Sequence, residues 1–159
     1  MTHAEFVKKY HLVGDNQECS ATTRPMASNN NTILRDMPSN WDWRDFGIVT
    51  PVKDQGECGS CWTFSTVGTV EAHFMKKYGQ YRNLSEQQLV DCAGAFDNDG
   101  CDGGLPSHAF EYLKYAGGLT TEAQYPYMGV DQTCKLTKGM QSVGIVGGSV
   151  NISLSENDL

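Results

Sequence analysis

Six cysteines stand at positions 19, 58, 61, 92, 101 and 134 of a 159-residue chain, and no other feature limits its fold as strongly. They are scattered rather than gathered into one ligand set, the pattern of loop-stapling disulfides formed in an oxidising compartment. With 39% hydrophobic and 19% charged residues, the chain has room for one domain with a real core. No apolar run approaches the roughly 20 residues that a spanning helix needs, so a membrane protein is not expected. Twelve Lys and Arg against 19 Asp and Glu leave a net charge of −7. That is the wrong sign for a surface that collects phosphates, and nucleic acid is not an expected partner.

Three N-x-S/T triplets, at Asn30, Asn83 and Asn151, fit passage through a secretory route. The opening segment Met1–Tyr10 is nevertheless polar and lacks the apolar centre of a signal peptide. The chain therefore reads as an incomplete gene product.

Phe6, Val7 and Tyr10 allow one or two amphipathic turns before Gly14. From Gly14 to Ser39 the chain is rich in Asn, Ser, Thr and Pro and has almost no apolar periodicity, so it reads as a linker open to proteolysis. Composition changes at Trp41-Asp-Trp-Arg-Asp-Phe-Gly-Ile-Val49, which places the start of the domain near Met37. In Cys61–Tyr78, Trp62, Phe64, Val67, Val70, Phe74 and Tyr78 recur at helical intervals, and Gly79 supplies a stop, so a buried helix is predicted. Ser85 and Gln88 have capping-box spacing, opening a second helix that ends near Cys92. Residues 94–104 read as a loop. Pro106–Ala116, followed by Gly117 and Gly118, carries the start and stop signals of a third helix. Beyond Tyr125 the pattern turns to loops and short strands, ending in the alternation of Val150–Leu154. Helices first and strands later predict an α+β fold.

The densest chemistry lies in Pro51-Val-Lys-Asp-Gln-Gly-Glu-Cys-Gly-Ser-Cys-Trp-Thr-Phe-Ser65. A thiol attacks as its thiolate, and the start of a long helix, with unpaired N–H groups and a positive dipole end, favours that form. Cys61 occupies such a start. Gly59 permits a tight entry turn, and the amide of Gln55, with the backbone N–H of Cys61, could hold the oxyanion of an acyl-transfer intermediate. Three other readings of the cysteines stand beside this one. Cys58 and Cys61 have redox-pair spacing, but the βαβ setting of a thioredoxin-like motif is absent. A zinc site from Cys58, Cys61, Cys92 and Cys101 would need a second closely spaced pair. All six could also be purely structural.

Gln55-Gly-Glu-Cys-Gly-Ser-Cys-Trp62 is similar to the signature of papain-like cysteine proteases. The resemblance continues through Leu84-Ser-Glu-Gln-Gln-Leu-Val-Asp-Cys92, Gly100-Cys-Asp-Gly-Gly104 and Tyr125-Pro-Tyr127, and covers about residues 37–159. Within the family the chain resembles the cathepsin H and aleurain group, notably in Cys61-Trp-Thr-Phe-Ser-Thr66 and Gly104-Leu-Pro-Ser-His-Ala-Phe-Glu-Tyr112. The resemblance implies a papain-like fold in which 37–159 holds the helical left domain and the beginning of the β-rich right domain. It implies Cys61 as nucleophile and Gln55 as oxyanion-hole donor. Gly103 and Gly104 would pair with substrate backbone, and Pro106 would lie by the pocket for the second substrate side chain. Disulfides Cys58–Cys101 and Cys92–Cys134 are implied as well. Residues 1–36 would be a propeptide tail, in which Asp15-Asn-Gln-Glu-Cys-Ser-Ala-Thr22 resembles the cathepsin H mini-chain. Cys19 would be its tether, and Thr22 its new terminus, whose carboxylate receives a substrate's free amine and makes the enzyme an aminopeptidase.

Papain-type chemistry also needs a His and an orienting Asn, about 130 to 150 residues beyond the nucleophile. That window opens beyond Leu159. His3 and His11 fall in the prosegment, His73 in mid-helix and His108 on the third helix, and each reads as an ordinary polar residue. The expectation is a chain inactive alone, its implied partners being a peptide or protein substrate, the missing C-terminal half of the enzyme and cystatin-type inhibitors. No cofactor or metal is expected, and the implied location is lysosome, vacuole or outside the cell. The competing function is a short, non-catalytic form that binds peptides or partners. Asp97, Asp99 and Asp102 read as a solvated acidic loop.

Overall fold

Cys61–Tyr78 forms the longest helix, α1, in a computed structural model that describes residues 1, 2, 5, 8, 22, 23, 38–140, 143, 144 and 146–151. Gly79 takes the left-handed conformation (φ 64°) that closes α1, and its N–H donates to the Met75 carbonyl. Glu86–Cys92 follows as α2, where Ser85 Oγ accepts from the Gln88 N–H at 3.0 Å. Only half of the expected capping box forms. The Gln88 side chain turns inward instead, donating to Tyr112 Oη and the Gly118 carbonyl and accepting from the Thr120 N–H at 2.7 Å. Pro106–Ala116 is α3, with proline in the first turn and Gly117 (φ 77°) after the last. The loop expected over 94–104 contains two short 3₁₀ turns, Gly94–Phe96 and Gly100–Asp102.

These three helices enclose one core of Trp62, Val67, Val70, Leu84, Leu89, Ala93, Ala109, Tyr112, Leu113 and Leu119. The face of α1 inside it differs in part from the expected one. Trp62, Val67 and Val70 are buried as anticipated, but Phe64 and Phe74 are only half-buried and Tyr78 is 54% exposed. Glu71 is buried in their stead, 1% exposed. Two disulfides staple loops to this core: Cys58–Cys101, with Cα atoms 4.7 Å apart, and Cys92–Cys134, at 4.9 Å. Each closes a loop of over 40 residues, worth about 4 kcal/mol in the chain-entropy picture.

The strand content among the described residues is slight. Thr22–Thr23 (β1) pairs in parallel with Val150–Asn151 (β2), Thr22 opposite Val150. Isolated antiparallel bridges join Leu84 to Thr121 and Leu119 to Val143. Phe6, Val7, Tyr10, Gly14, Cys19, Asn30, Met37 and the end of the expected strand, 152–154, lie outside the described residues, as do His3 and His11. No helix among the described residues is long and apolar enough to cross a membrane.

Candidate active site

Cys61 is the first residue of α1, exposed and outside any disulfide. An 18-residue helix directs its unpaired N–H groups and positive dipole end at that first turn. Ser60, just before it, is fully buried and receives the first helical bonds, its carbonyl accepting from the Thr63 N–H at 2.9 Å and from Thr63 Oγ1 at 2.8 Å. A buried residue on one side and buried Trp62 on the other hold the exposed thiol in place.

The entry turn is clamped to the 98–104 loop by three separate links. Cys58 is bonded to Cys101, the Gly59 N–H donates to the Cys101 carbonyl at 2.8 Å, and Trp62 Nε1 donates to the Gly100 carbonyl at 3.1 Å. The loop is held in turn by buried Asn98, whose Oδ1 accepts from the Leu105 N–H at 3.0 Å, and by Asp131, whose Oδ1 accepts from the Cys101 N–H at 2.8 Å. Two glycines are required here by contact. A Cβ on Gly104 would stand 2.7 Å from the Trp62 ring, and one on Gly100 would stand 1.9 Å from the Asp131 carboxylate. Gly103 adopts φ 123°, a conformation L side chains rarely take, and its carbonyl accepts from the Asp99 N–H at 2.8 Å. Gly103 and Gly104 thus form a fixed backbone edge next to the indole that follows Cys61, and Pro106 begins α3 just after it.

Gln55 sits in the same turn. Its Nε2 donates to the Cys58 carbonyl at 2.9 Å, which orients the amide, and its own backbone carbonyl accepts from Tyr127 Oη at 2.9 Å. With its proton committed to Gln55, Tyr127 Oη accepts from Ser60 Oγ at 2.6 Å. The Tyr127 ring packs edge-on against Phe64 of α1, centroids 5.0 Å apart, and burial pushes its hydroxyl pKa up. One phenol therefore ties the backbone of Gln55 to the residue preceding Cys61. Sequence reading placed Tyr127 in a motif and gave it no role, because its partners lie 67 and 72 residues away.

A second group escaped the sequence reading. Lys53 Nζ lies 2.9 Å from Glu71 Oε1 on α1 and 2.7 Å from Glu86 Oε1 on α2, and both carboxylates are at most 2% exposed. Burial opposes the charge of Lys53, but its hydrogen bonds to Glu86 and Glu71 outweigh it and hold the ammonium above its ordinary pKa. Burial likewise raises Glu86, despite the Lys53 bond. Only the alternation of a long polar side chain with the apolar helix face hints at such a pair in the sequence.

The histidines of the described part are engaged elsewhere. His73, three turns along α1 from Cys61, donates from Nδ1 to the Thr69 carbonyl at 2.9 Å, and His108 Nδ1 donates to the Asp97 carbonyl at 3.2 Å. Asp97, Asp99 and Asp102 are exposed. Among the described residues no group of three His, Cys, Asp or Glu could hold a metal ion. A hollow of about 490 Å³ lies along the far half of α1, lined by Val70, His73, Phe74, Tyr78 and Val143, and none of the expected site residues borders it. Thr22 contributes backbone to β1, while Cys19 lies outside the described residues.

A model described as papain family cysteine protease matches residues 37–159. The thiol protease aleurain of Arabidopsis thaliana is 54% identical over 147 residues, covering 92% of this chain and 40% of its own length. Pro-cathepsin H of Medicago truncatula is 53% identical over 148 residues, covering 93% and 41%, and that of Mus musculus is 47% identical over 157 residues, covering 98% and 45%. Among solved structures, digestive procathepsin L 3 of the Tenebrio molitor larval midgut superposes with a TM-score of 0.76 at 33% identity, covering 96% of this chain and 47% of that one. The chain spans less than half the length of these relatives.

Proposed function

The chain belongs to the papain family of cysteine proteases and has the papain-like fold, and from that membership we propose that it carries the nucleophile half of a cathepsin H-type peptidase. The observation that supports this most is the exposed, unbridged thiol of Cys61 at the first residue of α1, set in a turn fixed to its neighbouring loop by the Cys58–Cys101 bond. Cys61 Sγ attacks the scissile carbonyl. The backbone N–H of Cys61 and the amide of Gln55 receive the developing oxyanion, and an acyl-enzyme forms as the amine leaves. Gly103 and Gly104 pair with substrate backbone, and Pro106 borders the pocket of the second substrate side chain. The proton acceptor is a His oriented by an Asn in the length of the relatives that this chain does not span; His73 stands twelve residues along α1 from Cys61, about 18 Å at 1.5 Å per residue.

Substrates are peptides or proteins, and the preference is for free amino termini. The support for that preference is the resemblance of residues 15–22 to a mini-chain tethered by Cys19 and ending at Thr22. Residues 1–36 act as a propeptide tail, and 37–159 as the N-terminal part of the mature domain. The name pro-cathepsin H of two relatives supports a precursor form, and the resemblance to the cathepsin H and aleurain group supports a lysosome, a vacuole or the cell exterior as its destination.

The test uses the full-length parent protein. Cys61→Ala should abolish hydrolysis of peptide substrates and labelling by an epoxide thiol inactivator, while the wild type is labelled at Cys61 alone. Labelling at another residue, or activity surviving in the variant, would overturn the proposal. Cys19→Ser should shift preference from free amino termini toward internal bonds. An unchanged preference would remove the mini-chain reading while leaving the peptidase in place.

A further inference from the structure

Tyr81-Arg-Asn-Leu-Ser85 joins α1 to α2. Tyr81, Arg82 and Asn83 are exposed, with the Arg82 guanidinium 5.9 Å over the Phe74 ring, and Leu84 and Ser85 are completely buried. The Asn83 side chain thus points to solvent, while its backbone carbonyl accepts from the Glu122 N–H at 2.9 Å and anchors the loop. Asn83-Leu84-Ser85 is also an N-glycosylation triplet. Of the three such triplets it is the one lying wholly among the described residues, and its acceptor is not part of a paired strand, as Asn151 is.

We propose that Asn83 carries an N-linked glycan, the inference resting on the reading above that the parent protein passes through an oxidising secretory compartment. The bond formed joins the Asn83 amide nitrogen to C1 of the first sugar of a polyprenyl-pyrophosphate-linked oligosaccharide. The polyprenyl pyrophosphate leaves, and the amide gives up one proton. The outer face beside Asn83, including the exposed ring of Tyr81, is the surface the first sugars cover. The Leu84 N–H donates to Glu71 Oε1 at 2.8 Å, so Asn83 lies beside the second half of α1, roughly 15 Å along the helix axis from Cys61 at 1.5 Å per residue.

Ser85 sets when the transfer happens. Its hydroxyl is completely buried, donating to the Tyr125 carbonyl at 2.6 Å and accepting from the Gln88 N–H. A transferase must read that hydroxyl, so the sugar is added before the 125 region docks on α2. The modification belongs to the nascent chain.

The test is glycopeptide mapping by mass spectrometry of the full-length parent protein secreted from eukaryotic cells, with the disulfide state of the same sample recorded. The expected result is oligosaccharide on the peptide containing Asn83, and loss of one endoglycosidase-sensitive mobility step in Asn83→Gln with peptidase activity unchanged. A bare Asn83 in protein whose Cys58–Cys101 and Cys92–Cys134 bonds have formed would overturn the site and leave the compartment standing. A bare Asn83 in fully reduced protein would overturn both.

Discussion

Tyr127 joins Gln55 to Ser60 through its hydroxyl, so it acts on the nucleophile's surroundings at one remove. Gln55 itself is proposed to touch the oxyanion, and removal of one such donor typically lowers kcat by about 10²–10³-fold. In the full-length parent, Gln55→Ala should therefore reduce kcat by about that factor with KM little changed. A proportionate rise in KM with kcat intact would instead assign the amide to ground-state binding. Tyr127→Phe keeps the ring against Phe64 and deletes only the hydroxyl that holds the Gln55 carbonyl and receives Ser60 Oγ. The loss of one or two partly buried hydrogen bonds costs about 1–3 kcal/mol of stability. If Tyr127 positions the turn, the variant also loses kcat, and the loss should be smaller than that of Gln55→Ala. A lowered melting temperature with unchanged kcat would make Tyr127 purely structural.

The helices were legible as elements because their termini are written locally: Ser85 before α2, Pro106 at the head of α3, Gly79 and Gly117 in left-handed stops. Cys61 and Gln55 were legible for the same reason, lying in one short motif. The contacts between elements were not: capping-box spacing is all that singles out Gln88, and Gln87 and Gln88 are both completely buried. Their amides stitch 118–130 onto α2 through partners 30 to 43 residues away, which no local pattern announces. The acidic residues between elements carry a consequence for pH. Glu122 accepts from the Tyr127 N–H through Oε1, whereas its buried Oε2 has no hydrogen-bond partner, and burial raises its pKa together with that of Glu86. Lys53 attracts the charge on Glu122 and Glu71 repels it. Raised carboxyl pKa values mean that the folded chain binds more protons than the unfolded one just above the ordinary value of 4.5. The contribution of Glu86 and Glu122 to stability is greatest below 4.5 and falls as pH rises through their folded values. Melting temperatures measured across the acid-to-neutral range should show this fall. Glu122→Gln, which keeps an acceptor for Tyr127 and removes the titration, should flatten the slope and raise the neutral-pH midpoint. A slope that is unchanged in the variant would place the titration elsewhere.

At the scale of the whole molecule, the described chain presents an apolar face that its own core does not use. Trp41 stacks on Phe46 with centroids 4.7 Å apart and meets Trp43 edge-on at 5.3 Å, yet all three rings are at least 41% exposed. Val49 is 51% exposed, and Val52 shows no burial. Lys76 Nζ of α1 lies 4.3 Å from the centre of the Trp43 ring. Contiguous apolar patches of more than a few hundred Å² are uncommon on soluble monomers and mark surfaces that another body covers. The relatives extend well beyond the span matched here, this chain covering 40 to 45% of their length, and we infer that the remainder of the papain-family domain supplies the cover. The chain expressed alone should therefore self-associate as its concentration rises, bind a hydrophobic dye, and hydrolyse no peptide. Sedimentation velocity over a dilution series measures the first effect. Phe46→Glu combined with Val52→Glu should return the protein to a monomer and reduce dye binding without altering the helical circular dichroism, because neither side chain enters the core. A wild-type chain that stays monomeric and dye-free at every concentration would show that this face is tolerated bare, and the assignment of a covering segment would fail with it.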